Sequence, residues 1–332
     1  MALWTDVIKP VEVTAFARAV VENVDEGSTL ASIFPNVQVD ATTYSWDVGE
    51  VLSEVAEYRS FDAESAFGRS VGRGRKTSEL APVALKKRIS EYDQFVRQGA
   101  NSPESLAAAG ERIAGELAQA HVNRQALLRG SILSTGRLTI NEGGFVTDVD
   151  FGRRADFNKT TGTLWSAAST ADPIRDLENW LAEYAAANNG ATPTELITSR
   201  RVLGHVKNRL REAGYFGTAE KINVKTEDVN DQLVDRGLPT ITINERSAAG
   251  QRAIPDNQII LASSEGAGGT VWGTPVEAAD PRYGLAAGGL EIPGLVVGAY
   301  RSEDPQVAFI HSTAVVLPIL ANPDLTLVAT VL

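Results

Sequence analysis

Residues 68–77 read Gly-Arg-Ser-Val-Gly-Arg-Gly-Arg-Lys-Thr, a composition that suggests phosphate chemistry. A phosphate-cradling loop needs a glycine, four residues, then Gly-Lys-Ser/Thr, so that backbone N–H groups and one lysine converge on the anion. Here Arg75 separates Gly74 from Lys76, and the flanking patterns are not strand before and amphipathic helix after. The stretch reads instead as a flexible, cationic hairpin tip. Asp150-Phe151-Gly152 matches the magnesium-holding tripeptide of protein kinases, but no glycine-rich loop with a strand lysine and no His-Arg-Asp segment accompanies it. It reads as a chance match. His121, His205 and His311 are far apart and none stands in a metal-ligand spacing such as His-Glu-x-x-His. Each is expected to be a hydrogen-bonded structural histidine. There is no Gly-x-Ser-x-Gly elbow, and with no cysteine there is no thiolate nucleophile, disulfide or cysteine-held zinc. The carboxylates Asp62, Glu64 and Glu79 crowd together only as an acidic surface would. No cofactor, metal or catalytic residue is expected.

The bulk composition agrees with a structural role. The 332 residues are 43% hydrophobic and 22% charged, which suits a globular chain with one large core or two moderate ones. A net charge of -11 would repel a polyanion on average and argues against a dedicated DNA-binding protein. The opening MALWTDVIKP lacks a charged region followed by an apolar one, so no secretory signal is expected. No run approaches the ~18 apolar residues of a membrane span.

The elements that would carry any site follow from periodicity. Val13, Phe16, Ala17, Val20 and Val24 predict a helix over 12–24, stopped by Asp25-Glu26-Gly27. β-Branched and aromatic residues over 42–58 predict a strand. A polar stretch over 59–79 follows, then a returning strand after Pro82, making a long hairpin with no core of its own. Ser102-Pro103-Glu104 is a strong helix start. The helix is expected to run to Gly130, about 40 Å at 1.5 Å per residue, as a spine against a sheet. Asn141-Glu142-Gly143-Gly144 predicts a hairpin turn. Asp172-Pro173 opens a helix that Asn188-Asn189-Gly190 ends. Strands are expected over 196–199, 240–244 and 258–262, helices over 200–213 and 229–236, and mostly strand from 295 to 332.

In that order, these parts resemble the tailed-phage major capsid fold of the Hong Kong 97 type. The segment VAEYRSFDAESAFGRSVGRGRKTSELAPVALKKRISEY is similar to the extended loop of actinobacteriophage and lambda-like capsid proteins, with Arg59, Phe61, Asp62, Glu64 and Thr77-Ser78-Glu79 carrying much of the likeness. GTLWSAASTADPIRDLENW, IPDNQIILAS and the closing HSTAVVLPILANPDLTLVATVL resemble segments of the lambda-type capsid protein E family.

The resemblance implies an α+β chain with an N-terminal arm (1–40), an extended loop (41–92), a peripheral domain (93–171, spine helix 102–130), an inserted axial α/β domain (172–290) and closing peripheral strands (291–332). It implies hexamers and pentamers of the chain itself, a portal, maturation around double-stranded DNA by non-specific proximity, and room for a decoration protein. No long helical extension that could act as a built-in scaffold precedes the loop, so a separate scaffolding protein is implied. The location would be the virion, after assembly in the bacterial cytoplasm, with no membrane partner. Arg69, Arg73, Arg75 and Lys76 are expected against acidic groups of an adjacent copy, with Arg59, Asp62, Glu64 and Glu79 in the same loop contact. Two rivals stand beside this reading: an encapsulin-type compartment shell, and a soluble enzyme with its catalytic unit at 172–290.

Overall fold

The structure is a computed structural model that describes residues 9–48, 58, 59, 61, 64, 74–90, 92, 103–167, 170–215, 224–280, 283, 293–302, 304 and 307–332. Helix α1 spans Pro10–Glu26, with Pro10 in the first turn where its missing N–H costs nothing. Val13, Ala17 and Val21 recur at four-residue spacing and are buried. Phe16, expected on that face, is 39% exposed instead, and its ring edge lies against Gly115 of the long helix. Helix α2 is short, Thr29–Ile33.

The spine helix α3 runs Pro103–Thr135, 33 residues and about 50 Å. It continues past Gly130, where the sequence suggested a stop. Gly130 serves a different purpose: a Cβ there would sit 2.0 Å from the Ala253 carbonyl oxygen, so the residue is bare to let another backbone pass. Two strands, β5 (Arg137–Glu142) and β6 (Phe145–Asp150), follow as a hairpin, with Gly143 and Gly144 both at positive φ in its turn.

Two five-stranded sheets organise the rest. The first holds β1 (Asn36–Gln38), β13 (Gly268–Gly273), β15 (Ala308–Leu320) and β14 (Val296–Arg301), with β4 (Pro82–Ile89) also paired to β15. Helices α1 and α3 pack on it through Val13, Ala17, Ile113, Leu117, Val297, Ile310 and their neighbours. The second holds β7 (Asn158–Thr160), β16 (Thr326–Thr330), β12 (Gln258–Ala262), β8 (Glu195–Thr198) and β9 (Ile241–Ile243), in that order. It shares a core with α4 (Pro173–Ala187), α5 (Arg200–Glu212) and α6 (Thr226–Val234), built from residues such as Leu177, Trp180, Val206, Leu210 and Leu233. Strands β8 and β9 are parallel, and α5 and α6 form the crossover between them.

Neither sheet respects the expected boundaries of the 172–290 unit. Strand β13 lies inside that range but pairs with β15 and β1, while β16, from the closing strands, pairs with β12. The cause is pairing between residues far apart in the chain, which local pattern does not reveal.

A buried polar knot ties the first sheet to its helices. Arg129 donates to both carboxylate oxygens of Asp25 at 2.9 and 3.1 Å, to Thr270 Oγ1 at 2.9 Å and to Asn36 Oδ1 at 3.2 Å. The Arg129 side chain is 1% exposed, so the pair holds only because nearly every donor is matched. Nearby, His121 is buried with Nε2 3.0 Å from Ser312 Oγ. Burial pushes its imidazole down to about 4, and His311 acts in the same direction. Among the described residues no cluster of three metal-ligating side chains occurs, and no helix is long and apolar enough to cross a membrane.

Candidate inter-subunit contact surface

The loop expected to reach a neighbour is anchored by a hairpin of β2 (Thr43–Val48) and β3 (Gly74–Glu79). The register runs from Thr43 opposite Glu79 to Val48 opposite Gly74. This corrects the sequence reading. The return strand is Gly74–Glu79, inside the supposed tip, whereas Pro82–Ile89 leaves the hairpin to pair with β15. Leu80 and Ala81, both buried, make the step between the two.

Alternation along the pair separates two faces. Tyr44, Trp46, Lys76 and Ser78 point to the body. Trp46 is 5% exposed and its ring lies 5.9 Å from that of Phe151. Lys76, directly across from Trp46, donates to the Asp150 and Phe151 carbonyls at 2.8 and 3.0 Å. Thus Lys76, expected against acidic groups of another copy, is bound to backbone carbonyls of its own chain. Its hydrocarbon stem follows the half-buried face while the ammonium finds carbonyls at the edge.

The tripeptide that resembles a kinase motif is the other half of this anchor. Asp150 Oδ1 accepts the Gly152 N–H at 2.8 Å, Phe151 is fully buried, and Gly152 adopts φ +82°. The next residue, Arg153, donates to the Leu133 and Ile132 carbonyls at the end of α3, at 2.8 and 3.3 Å, where a cation complements the helix dipole. Burial pushes its guanidinium down to about 10, with Asp324 pulling the other way, and it stays cationic at neutral pH. The loop base, the β5–β6 hairpin and the spine terminus therefore meet at residues 150–153.

The outward face of the pair is polar: Thr43 and Glu79, Ser45 and Thr77, Asp47 and Arg75. Ser45 and Thr77 hydroxyls share a hydrogen bond of 2.9 Å. Arg75 and Glu79 are exposed there, as are Arg59 and Glu64 farther along the loop. Asp62, Arg69 and Arg73 lie outside the described residues. Tyr58 and Phe61 stand 107% and 99% exposed, the most water-facing of the large apolar side chains described. Phe61 was legible only through the resemblance. Tyr58 and the anchor residue Trp46 were not singled out, and Phe151 only within the chance tripeptide, although an aromatic within an alternating strand is a usable signal.

Two sheets spanned by a long helix, with a hairpin anchored at the end of that helix, define the Hong Kong 97 class of capsid subunits. A protein of Escherichia coli CFT073 assigned as a prophage capsid protein superposes with a TM-score of 0.63 at 13% identity, over 96% of this chain and 99% of its own. A phage-related protein of Bordetella bronchiseptica RB50 gives 0.56 at 14% identity, over 97% and 96%. The mature capsid of bacteriophage PhiM1 gives 0.50 at 12% identity, over 92% and 87%. No curated protein matches in sequence. The chain belongs to the family of phage major capsid protein E, whose model matches residues 27–331. It is a structural head protein, and the family match favours the phage head over the compartment shell.

Proposed function

We propose that the chain builds an icosahedral phage head from hexamers and pentamers of itself, enclosing double-stranded DNA, with a separate scaffolding protein and a portal as assembly partners. In this reading the first sheet and the spine helix form the shell wall, the second sheet turns toward the capsomer axis, and residues 41–92 reach over an adjacent copy. The observation that carries it is the exposure of Tyr58 and Phe61 on a loop whose base is firmly docked. Each such ring stabilises an interface by roughly 1.5–3 kcal/mol when covered. A neighbouring copy is the surface that covers them. Arg59, Glu64, Arg69, Arg73, Arg75, Asp62 and Glu79 would set the register of that contact, while Lys76 holds the base.

The test is the double reversal Arg73→Glu with Arg75→Glu, expressed with the scaffold and inspected by electron microscopy. Heads should fail or become aberrant, while the unassembled chain stays folded with a melt lowered only by the exposed cross-strand pairing of residue 75 with Asp47, about 1 kcal/mol or less. Normal heads from this variant would remove the loop contact from the reading.

A further inference from the structure

The helices α5 and α6 carry opposite charge in a chain that is acidic overall. Helix α5 holds Arg200, Arg201, Lys207, Arg209 and Arg211 against Glu212 alone, whereas α6 holds Glu227, Asp228 and Asp231 and no cation. The two helices pack side by side, and Lys207 Nζ donates to Thr226 Oγ1 across them at 3.0 Å.

The exposed charges fall in stripes. On α6 and its C-cap, Glu227, Asp231 and Asp235 are exposed at four-residue spacing, and Val234, 56% exposed, stands among them. On α5, Arg201, Gly204, Asn208 and Arg211 share one stripe. A Cβ added at Gly204 would meet nothing within 4 Å, so bare backbone lies open between two arginines. The stripes are comparable in length, about 15 Å from Arg201 to Arg211 and about 12 Å from Glu227 to Asp235. One is acidic with an apolar knob near its end; the other is basic with a shallow gap.

We propose that the α5 stripe of one copy receives the α6 stripe of the next around the capsomer axis, with Val234 seated over Gly204 and Asp231 and Asp235 facing Arg201 and Arg211. This rests on the head reading and adds the residues that join neighbours near the axis. When one patch of a copy engages the other patch of the next copy, the contact is head-to-tail, and it builds a ring where the rotation between copies closes, as around a capsomer axis. The acidic stripe beside the basic one disfavours a polyanion as the occupant and favours a second copy of the chain. Each exposed ion pair is weak, but repetition around a ring adds them.

The natural absence of cysteine allows a direct test in the full chain. Chains bearing Gly204→Cys and chains bearing Val234→Cys are co-expressed, assembled with the scaffold and oxidised. The expected product is a disulfide-linked pair containing one chain of each kind, with no linked pair from either variant alone. Adding Arg201→Glu and Arg211→Glu to the Gly204→Cys chain should lower the linked fraction about tenfold. Further adding Asp231→Arg and Asp235→Arg to the Val234→Cys chain should restore it. Normal heads without the mixed link overturn this contact and leave the head reading standing. Loss of both heads and link overturns both. Linkage of Gly204→Cys chains to one another overturns the head-to-tail arrangement.

Discussion

Under the first sheet, Asp25, Asn36, Arg129 and Thr270 come from four separate elements and meet in one buried knot. Under the second, Asp172 and Ser199 cap helix ends by accepting the Arg175 and Val202 N–H groups, and longer-range bonds run singly to backbone carbonyls, Tyr184 to Leu325 and Asn188 to Asp324. Around those caps the second core is apolar and aromatic, with Trp165 and Trp180 stacked at 5.9 Å and the Trp165 N–H bound to Asp176. A core held by distant polar partners is sensitive to single changes, because one deletion strands several groups. A core held by apolar packing and local caps loses little from each polar deletion.

The sharpest way to break this contrast is Arg129→Met. It leaves Asp25 buried without its cation, and the unassembled chain should lose about 3–5 kcal/mol in urea denaturation. A loss below 1 kcal/mol would mean that the knot does not hold the first sheet.

Acid probes the same region through His121. Its folded value of about 4 lies below the ordinary 6.5, so the unfolded chain binds the extra proton between those limits. Stability is therefore fully present above pH 6.5 and drains as pH falls toward 4, by about 3 kcal/mol in all. A series of urea midpoints across that window should flatten by this share in His121→Gln; an unchanged slope would reject the assignment.

Two glycines extend the comparison to backbone. Gly130→Ala drives a methyl into the Ala253 carbonyl and should cost about 2 kcal/mol or more. Gly204→Ala, in open space on α5, should stabilise by about 0.5–1 kcal/mol. Differential scanning calorimetry of the two variants should move the melting point in opposite directions. Asp172→Ala, where one cap is lost, should cost about 1 kcal/mol, comparable in size to the gain at Gly204.

What the sequence revealed follows the same division. Strand β12 has the bounds read from the pattern, 258–262, and α4 begins and ends at its own Asp-Pro and Asn-Asn-Gly signals, because those signals are local. Strand β13 escaped notice because Gly268, Gly269 and Gly273 read as loop. Two of those glycines are there for close approach: a Cβ on Gly268 would meet the Ile319 carbonyl at 2.4 Å, and one on Gly273 the Ala41 carbonyl at 2.7 Å. The partner of Pro82–Ile89 was misread because β15 lies more than two hundred positions away. Arg129 was not singled out, since periodicity says nothing of a carboxylate waiting across the core. For the loop contact, the sequence marked charge and aromatics, while exposure and anchoring needed coordinates.

Strand β16 has a consequence for how the molecule comes into being. Leu327 and Ala329 enter the second core and Val328 the first, while the strand itself is flanked by β7 and β12. A nascent polypeptide that has not yet emitted residues 326–330 lacks the seam between its two halves. Translation must therefore pass that point before the two halves can close on each other.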